Sequence, residues 1–122
     1  MKITITGATG HLGTQIVKAL HKLVPATELN LGVHTVSKAA DFAAQGMTVT
    51  AMDYHDVESL KPVLAGSDVF IYVPSKSHDS YSRVSEFENV IQAAEASQVK
   101  HMLVMGFIAD QVNNPFALSA FY

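Results

Sequence analysis

Glycines at positions 7, 10 and 13 lie between a β-branched run, Ile3-Thr4-Ile5-Thr6, and a helical pattern that opens at residue 11. What glycine contributes at such a place is close approach. Gly7 allows a tight turn out of a strand, and Gly10 lets backbone N–H groups come up against a phosphate. Gly13 removes a side chain where the following helix must pack on the strand. That helix then offers its unpaired amides and positive dipole end to an anion. Strand, glycine loop and helix in this order are what a dinucleotide pyrophosphate site requires, and this context separates the triplet from an ordinary turn. No Gly-Lys-Ser/Thr is present in the segment, so a triphosphate loop with a magnesium-binding hydroxyl is disfavoured.

Other reactive residue types are present without the spacing that chemistry needs. His78, Asp79 and Ser80 have the composition of a hydrolase triad, but three consecutive residues cannot form the nucleophile–base–orienter line, and a polar helix entry is the better reading. The six histidines show no metal-ligand spacing, so no metal is expected. The absence of cysteine excludes disulfides, thiolate catalysis and zinc–thiolate sites. Arg83 is the only arginine, the seven lysines are scattered, and the net charge is −3, which leaves no electrostatic footprint for nucleic acid. No apolar run approaches the roughly 20 residues of a membrane span. The first strand begins at residue 2, leaving no room for a signal peptide, and a cytoplasmic location is the default expectation.

The elements that must position the glycine loop alternate between strand and helix, the signature of a parallel sheet covered on both faces. A first helix is expected over residues 11 to 24, with Leu12, Ile16, Val17, Leu20 and Leu23 in one stripe. A second strand covers Leu29 to His34, and Ser37 is the expected N-cap of an Ala-rich helix that Gly46 ends. Met47 to Met52 reads as strand three. Helix three, over 57 to 65, contains Pro62 and should be short or kinked. The apolar strand Val69 to Val73 looks central. A helix over 80 to 97, with Val84, Phe87, Ile91 and Ala94 inward, precedes strand five at His101 to Met105. The whole is one Rossmann-type, doubly wound α/β domain over residues 1 to 122, with strand order 3-2-1-4-5. Phe116 to Tyr122 is an apolar stretch with nothing left to cover it, so the chain is expected to be the N-terminal part of a larger fold whose substrate part lies beyond it.

Gly7-Ala8-Thr9-Gly10-His11-Leu12-Gly13, Asp53-Tyr54 after strand three and Val99-Lys100-His101 before strand five together resemble the NmrA-like branch of the short-chain dehydrogenase/reductase superfamily. Within that branch the chain is most similar to bacterial NAD(P)H:quinone oxidoreductases of the atypical, extended type. The resemblance implies binding of a dinucleotide and hydride transfer to a small-molecule electron acceptor such as a quinone or similar carbonyl. Some members of the branch bind the dinucleotide without turning it over, and a non-catalytic dinucleotide-sensing regulator is the alternative.

The tip of strand two is where such folds choose their cofactor. A carboxylate there would take the ribose hydroxyls of NAD, and an arginine would hold the 2′-phosphate of NADP. This chain has neither, and His34 stands where the resembled family commonly has arginine. With no carboxylate to repel the phosphate, and with His34 and Lys38 (beside Thr35 and Ser37) to bind it, NADP(H) is preferred over NAD(H). Asp53 occupies the place where the family sets an acidic residue against the adenine amine, with Tyr54 able to pack beside the ring; capping of helix three by Asp53 or Asp56 is the structural alternative. Val73, Pro74 and Ser75 should line the adenosine side of the groove, because ligands of these sheets sit at the carboxyl ends of strands.

The superfamily's proton-transfer dyad is Tyr-x-x-x-Lys on a helix, and Tyr72-Val73-Pro74-Ser75-Lys76 matches it literally. The match is a decoy. Only a helix puts i and i+4 on one face, whereas extended backbone separates their Cα atoms by about 13 Å. The family's serine after strand five is replaced by Gly106, which puts a conventional dehydrogenase mechanism in doubt. Tyr122 falls near the start of the family's active-site helix, but an aromatic plug is the better reading. The catalytic residues therefore stay unassigned.

Overall fold

The computed structural model describes residues 1–74 and 80–104, with side chains from residue 84 onward in the second stretch. Within these residues five strands form one sheet: β1 (Ile3–Thr6), β2 (Leu29–Val33), β3 (Thr48–Ala51), β4 (Val69–Tyr72) and β5 (His101–Val104). Their order is β3-β2-β1-β4-β5, and every pairing is parallel. The expected topology is therefore the observed one. The central strand β1 pairs Ile3 with both Leu29 and Val69, and Thr6 with both Gly32 and Tyr72.

Among the described residues four helices cover the sheet: α1 (His11–His21), α2 (Ala40–Ala44), α3 (Val57–Leu64) and α4 (Ser80–Ala96). The two-residue period of β1 assigns each side chain to a layer. Ile3 and Ile5 join Leu29, Leu31, Val17 of α1 and Phe42 of α2 in one core. On the opposite face Phe70 and Tyr72 pack with Leu60 and Leu64 of α3 and Val90 of α4. Thr4 and Thr6 are fully buried, and each finds a hydrogen-bond partner. Thr4 Oγ1 is held by the Ser67 hydroxyl and by Asn30 Nδ2, and Asn30 Nδ2 also donates to the Val63 carbonyl at 2.8 Å near the end of α3.

Several local expectations are corrected. Helix α1 stops at His21, and Leu23 is 80 % exposed; the chain turns there, with Leu23 and Val24 both donating to the Leu20 carbonyl. Ser37 is not an N-cap but sits inside a 3-10 turn over Val36–Ala39 that runs directly into α2. Pro62 lies within α3, and the helix is short, at eight residues. On α4 the expected Ala94 is buried and Phe87 packs against the same core, but Val84 is 57 % exposed, and Glu86, Val90 and Ala93, outside the expected stripe, are buried. The stripe through Val84 looked the more apolar because the buried one carries a carboxylate.

Candidate functional site

A cleft of about 380 Å³ opens at the carboxyl ends of the strands. Gly7, Thr9 and Gly10 form one wall, and His34 and Lys38 stand beyond the end of β2. Met52, Asp53, Tyr54 and His55 follow β3, with Pro74 and Glu86 on the far side. Among the described residues no three His, Asp or Glu come together to hold a metal, and no helix is long and apolar enough to cross a membrane.

The loop geometry follows from its glycines. Gly7 adopts φ +72°, in the left-handed region that favours glycine, and a Cβ there would lie 2.6 Å from the Val73 carbonyl. Gly13 is buried, and a Cβ on it would overlap the Gly7 carbonyl oxygen and come within 2.9 Å of Ala8 Cα. Gly10 differs from both: a Cβ would meet only the Gly7 carbonyl, at an ordinary 3.6 Å. As the N-cap of α1, Gly10 has no side chain to offer the first-turn amides, and that turn contains no acidic residue. The amides of His11, Leu12 and Gly13 thus lack protein acceptors among the described residues, which is how a helix start able to receive an anion is built. The side chains of His11 and Leu12 are exposed and stand outside the cleft; His11 Nε2 lies 3.3 Å from Gln15 Nε2.

After β3 the two candidate caps separate. Asp56 is the N-cap of α3 and accepts from the Glu58 amide at 3.1 Å. Asp53 lines the cleft instead; its Oδ1 accepts from the His55 amide at 2.9 Å, and its own amide donates to Ser59 Oγ at 2.9 Å. Tyr54, expected beside the base, does line the cleft, with little of its surface open to it. It is only 6 % exposed and forms part of the cleft floor. Its hydroxyl lies 2.5 Å from the Val73 carbonyl and 2.9 Å from Thr6 Oγ1. The single phenolic proton goes to the carbonyl, which can only accept, and the Thr6 hydroxyl supplies the other bond. Burial holds the Tyr54 pKa well above that of a free tyrosine, against the lowering effect of the Thr6 bond.

Val73 is buried beneath the cleft and contributes its carbonyl to Tyr54, whereas Pro74 reaches the lining. Ser75, Lys76, His78, Asp79, Gly106 and Tyr122 lie outside the described residues, as does the side chain of Ser80. Tyr72 is a buried member of β4, its ring 5.3 Å from that of Tyr54 and edge-on to it. Met52, His55 and Glu86 also line the cleft, and no motif in the sequence marks them. For Glu86 a signal existed: with Val90 and Ala93 it forms an i, i+4, i+7 row, so a buried carboxylate was there to be read on that helix.

A family model described as NAD(P)H-binding matches residues 7–121 of the chain. The chain is 40 % identical over 98 residues to quinone oxidoreductase 2 of Escherichia coli K12, a match covering 80 % of this chain and 34 % of that protein. It is 24 % identical over 104 residues to an NmrA-like family domain-containing oxidoreductase of Aspergillus flavus, covering 84 % of this chain and 34 % of the relative. Among solved structures, the Citrobacter sp. triphenylmethane reductase complexed with NADP(H) superposes with a TM-score of 0.83 at 34 % identity, over 85 % of this chain and 36 % of that one. The chain spans about a third of the length of the curated relatives it matches.

Proposed function

The chain belongs to the NAD(P)H-binding, NmrA-like family, and from that premise we propose that it is the cofactor-binding part of an oxidoreductase that takes NADPH in preference to NADH and reduces a quinone or similar small carbonyl acceptor. One observation carries the cofactor reading. Three first-turn amides without protein acceptors, above a Gly10 whose Cβ position is open, belong to a loop that shares its cleft with His34 and Lys38. The Gly7–Gly13 loop, with Thr9, His11 and Leu12 contributing backbone, takes the pyrophosphate. His34 and Lys38 take the 2′-phosphate, as donors at a strand tip that carries no carboxylate. Asp53, with one carboxylate oxygen held by the His55 amide, offers the other to the adenine amine. Tyr54 and Val73 support this wall from below, and Pro74 borders the adenosine.

Bound NADPH supplies a hydride, and quinones accept hydride readily, so the chain's own task is to bind and orient. The NADP(H) complex of the triphenylmethane reductase and the identity to a quinone oxidoreductase support this reading. Gly106, in place of the superfamily's serine, favours the second reading, a dinucleotide sensor that does not turn its ligand over. Titration calorimetry with NADPH and NADH tests the first step: Lys38→Ala should weaken NADPH about tenfold and leave NADH unchanged, as expected for loss of one charge-assisted bond to phosphate. Equal losses for both dinucleotides would remove the 2′-phosphate assignment. NADPH oxidation with a panel of quinones then separates the two functions, since binding without turnover leaves the sensor.

A further inference from the structure

Two side chains of α4 reach the loop that follows β3. Asn89 Nδ2 donates to the Tyr54 carbonyl at 2.9 Å, and Glu86 Oε1, from the preceding turn, lies 3.4 Å from His55 Nε2. The His55 side chain is 57 % exposed, whereas that of Glu86 is 4 % exposed at the cleft wall. A carboxylate held so far out of water destabilises a fold unless its partners offset the lost hydration. One of those partners is the residue whose amide grips Asp53 Oδ1 at 2.9 Å. Helix α4 is thereby tied to the carboxylate of Asp53 through one intermediate residue, and the Asn89 bond fixes the residue between them.

We propose that Glu86 is a positioning residue for base recognition: through His55, and with Asn89 beside it, it fixes the turn Asp53–His55 and so aims the free oxygen of Asp53 at the exocyclic amine of the cofactor's purine. This rests on the reading of Asp53 given above. The ligand's selecting feature is then an amine donor on the base, and the selectivity is set from a helix that carries no part of the phosphate loop. His55 is the joint. Removing its ring cuts the link but leaves the amide that holds Asp53.

The test compares affinities of the full chain for NADPH and for its hypoxanthine analogue, in which the purine amine is replaced by oxygen. Their ratio isolates base recognition from everything else in the molecule. Wild-type protein should prefer NADPH, and Asp53→Ala should bring the ratio close to one. His55→Ala and Glu86→Leu should each lower the ratio by roughly fivefold, and the double variant should do no worse than the weaker single one, as for two members of one chain of contacts. In the absence of any dinucleotide, Glu86→Leu should also speed hydrogen exchange at the His55 amide. Should Glu86→Leu fail to fold, His55→Ala decides the matter, because its side chain is mostly exposed. A wild-type ratio of one, or an Asp53→Ala variant that keeps the wild-type ratio, overturns the Asp53 reading and this proposal with it. An Asp53→Ala variant that has lost the preference, beside a His55→Ala variant with the wild-type ratio, overturns the role of Glu86 alone, including the case where both affinities of His55→Ala fall together.

Discussion

Gly10 and Gly13 are three residues apart in one motif, and their backbones predict opposite phenotypes. Gly10 has φ −72° and ψ 172°, a conformation open to any L residue, and a Cβ there touches nothing closer than 3.6 Å. Gly10→Val should therefore fold normally and lose the dinucleotide, because its branched side chain fills the space over the first-turn amides. Loss of two charge-assisted bonds, at about 1.5 to 3 kcal/mol each, amounts to a hundredfold or more in affinity, to order of magnitude. Gly13→Val should instead melt early: the new Cβ overlaps the Gly7 carbonyl, and relief requires α1 to move off the sheet, a cost of about 3 kcal/mol or more. Calorimetry and thermal melts on the two variants check both outcomes, and a Gly10→Val protein that still binds tightly would falsify the pyrophosphate assignment. These residues were legible in the sequence because glycine leaves few alternative roles at such spacing. Tyr54 was legible only as a position. Nothing in its neighbours in sequence says that its hydroxyl is used up by Thr6 and Val73, both remote along the chain.

Helices and strands were read most accurately where the period of apolar residues is unbroken, as in β1 and β4, and least accurately in α4. There the buried row Glu86, Val90 and Ala93 contains a carboxylate, and the apolar stripe beside it, which brings Phe87 and Ala94 to the core, also runs through the exposed Val84. The position of Pro62 correctly foretold a short α3, but not that Asn30 of β2 would supply a donor to the carbonyl of Val63 near its end. The Tyr54 hydroxyl is a contact between elements of the same kind, joining the loop after β3 to the ends of β1 and β4. Tyr54→Phe should cost about 1 to 3 kcal/mol at neutral pH, the usual penalty for leaving a buried partner unsatisfied. The pH dependence has a definite sign. Burial raises the folded-state pKa of Tyr54, so above about pH 10 the unfolded chain releases the proton first and is favoured. The stabilisation is complete below that pH and is lost as pH rises towards the folded value. Chemical denaturation from pH 8 to alkaline conditions should thus show the gap between wild type and Tyr54→Phe narrowing. A gap that widens or stays constant would mean that the phenol ionises as easily in the folded protein as outside it.

Across the whole molecule the two ends of the sheet do different work. The carboxyl ends of the strands carry the cleft, with amides and polar side chains left for a ligand. The amino ends carry polar groups that are matched to one another. Asp68 Oδ2 accepts from the Lys2 amide at 2.8 Å, its Oδ1 lies 3.4 Å from Lys100 Nζ, and the Lys2 ammonium reaches the Ala65 carbonyl at 2.6 Å. These contacts fasten the starts of β1, β4 and β5 to one another. The Lys2 amide, and after it Lys100, holds the Asp68 carboxyl below the usual carboxylate range. A group with a lowered folded-state pKa contributes stability that is fully present above its unfolded pKa, about 3.9, and is lost as pH falls through the folded value. Asp68→Asn should consequently melt below wild type at pH 7, and the difference should shrink on acidification and vanish once the native carboxyl is protonated. Salt should reduce only the Lys100 part of the effect, since that pair is exposed and the amide bond is not ionic. Dinucleotide affinity, measured at pH 7 and a temperature where both proteins are folded, should be the same for the variant and wild type, because none of the described residues at this end of the sheet lines the cleft. A variant that keeps its melting temperature but loses affinity would show that the two ends are coupled through the strands, and would require β1 to transmit a shift along its buried length to Gly7.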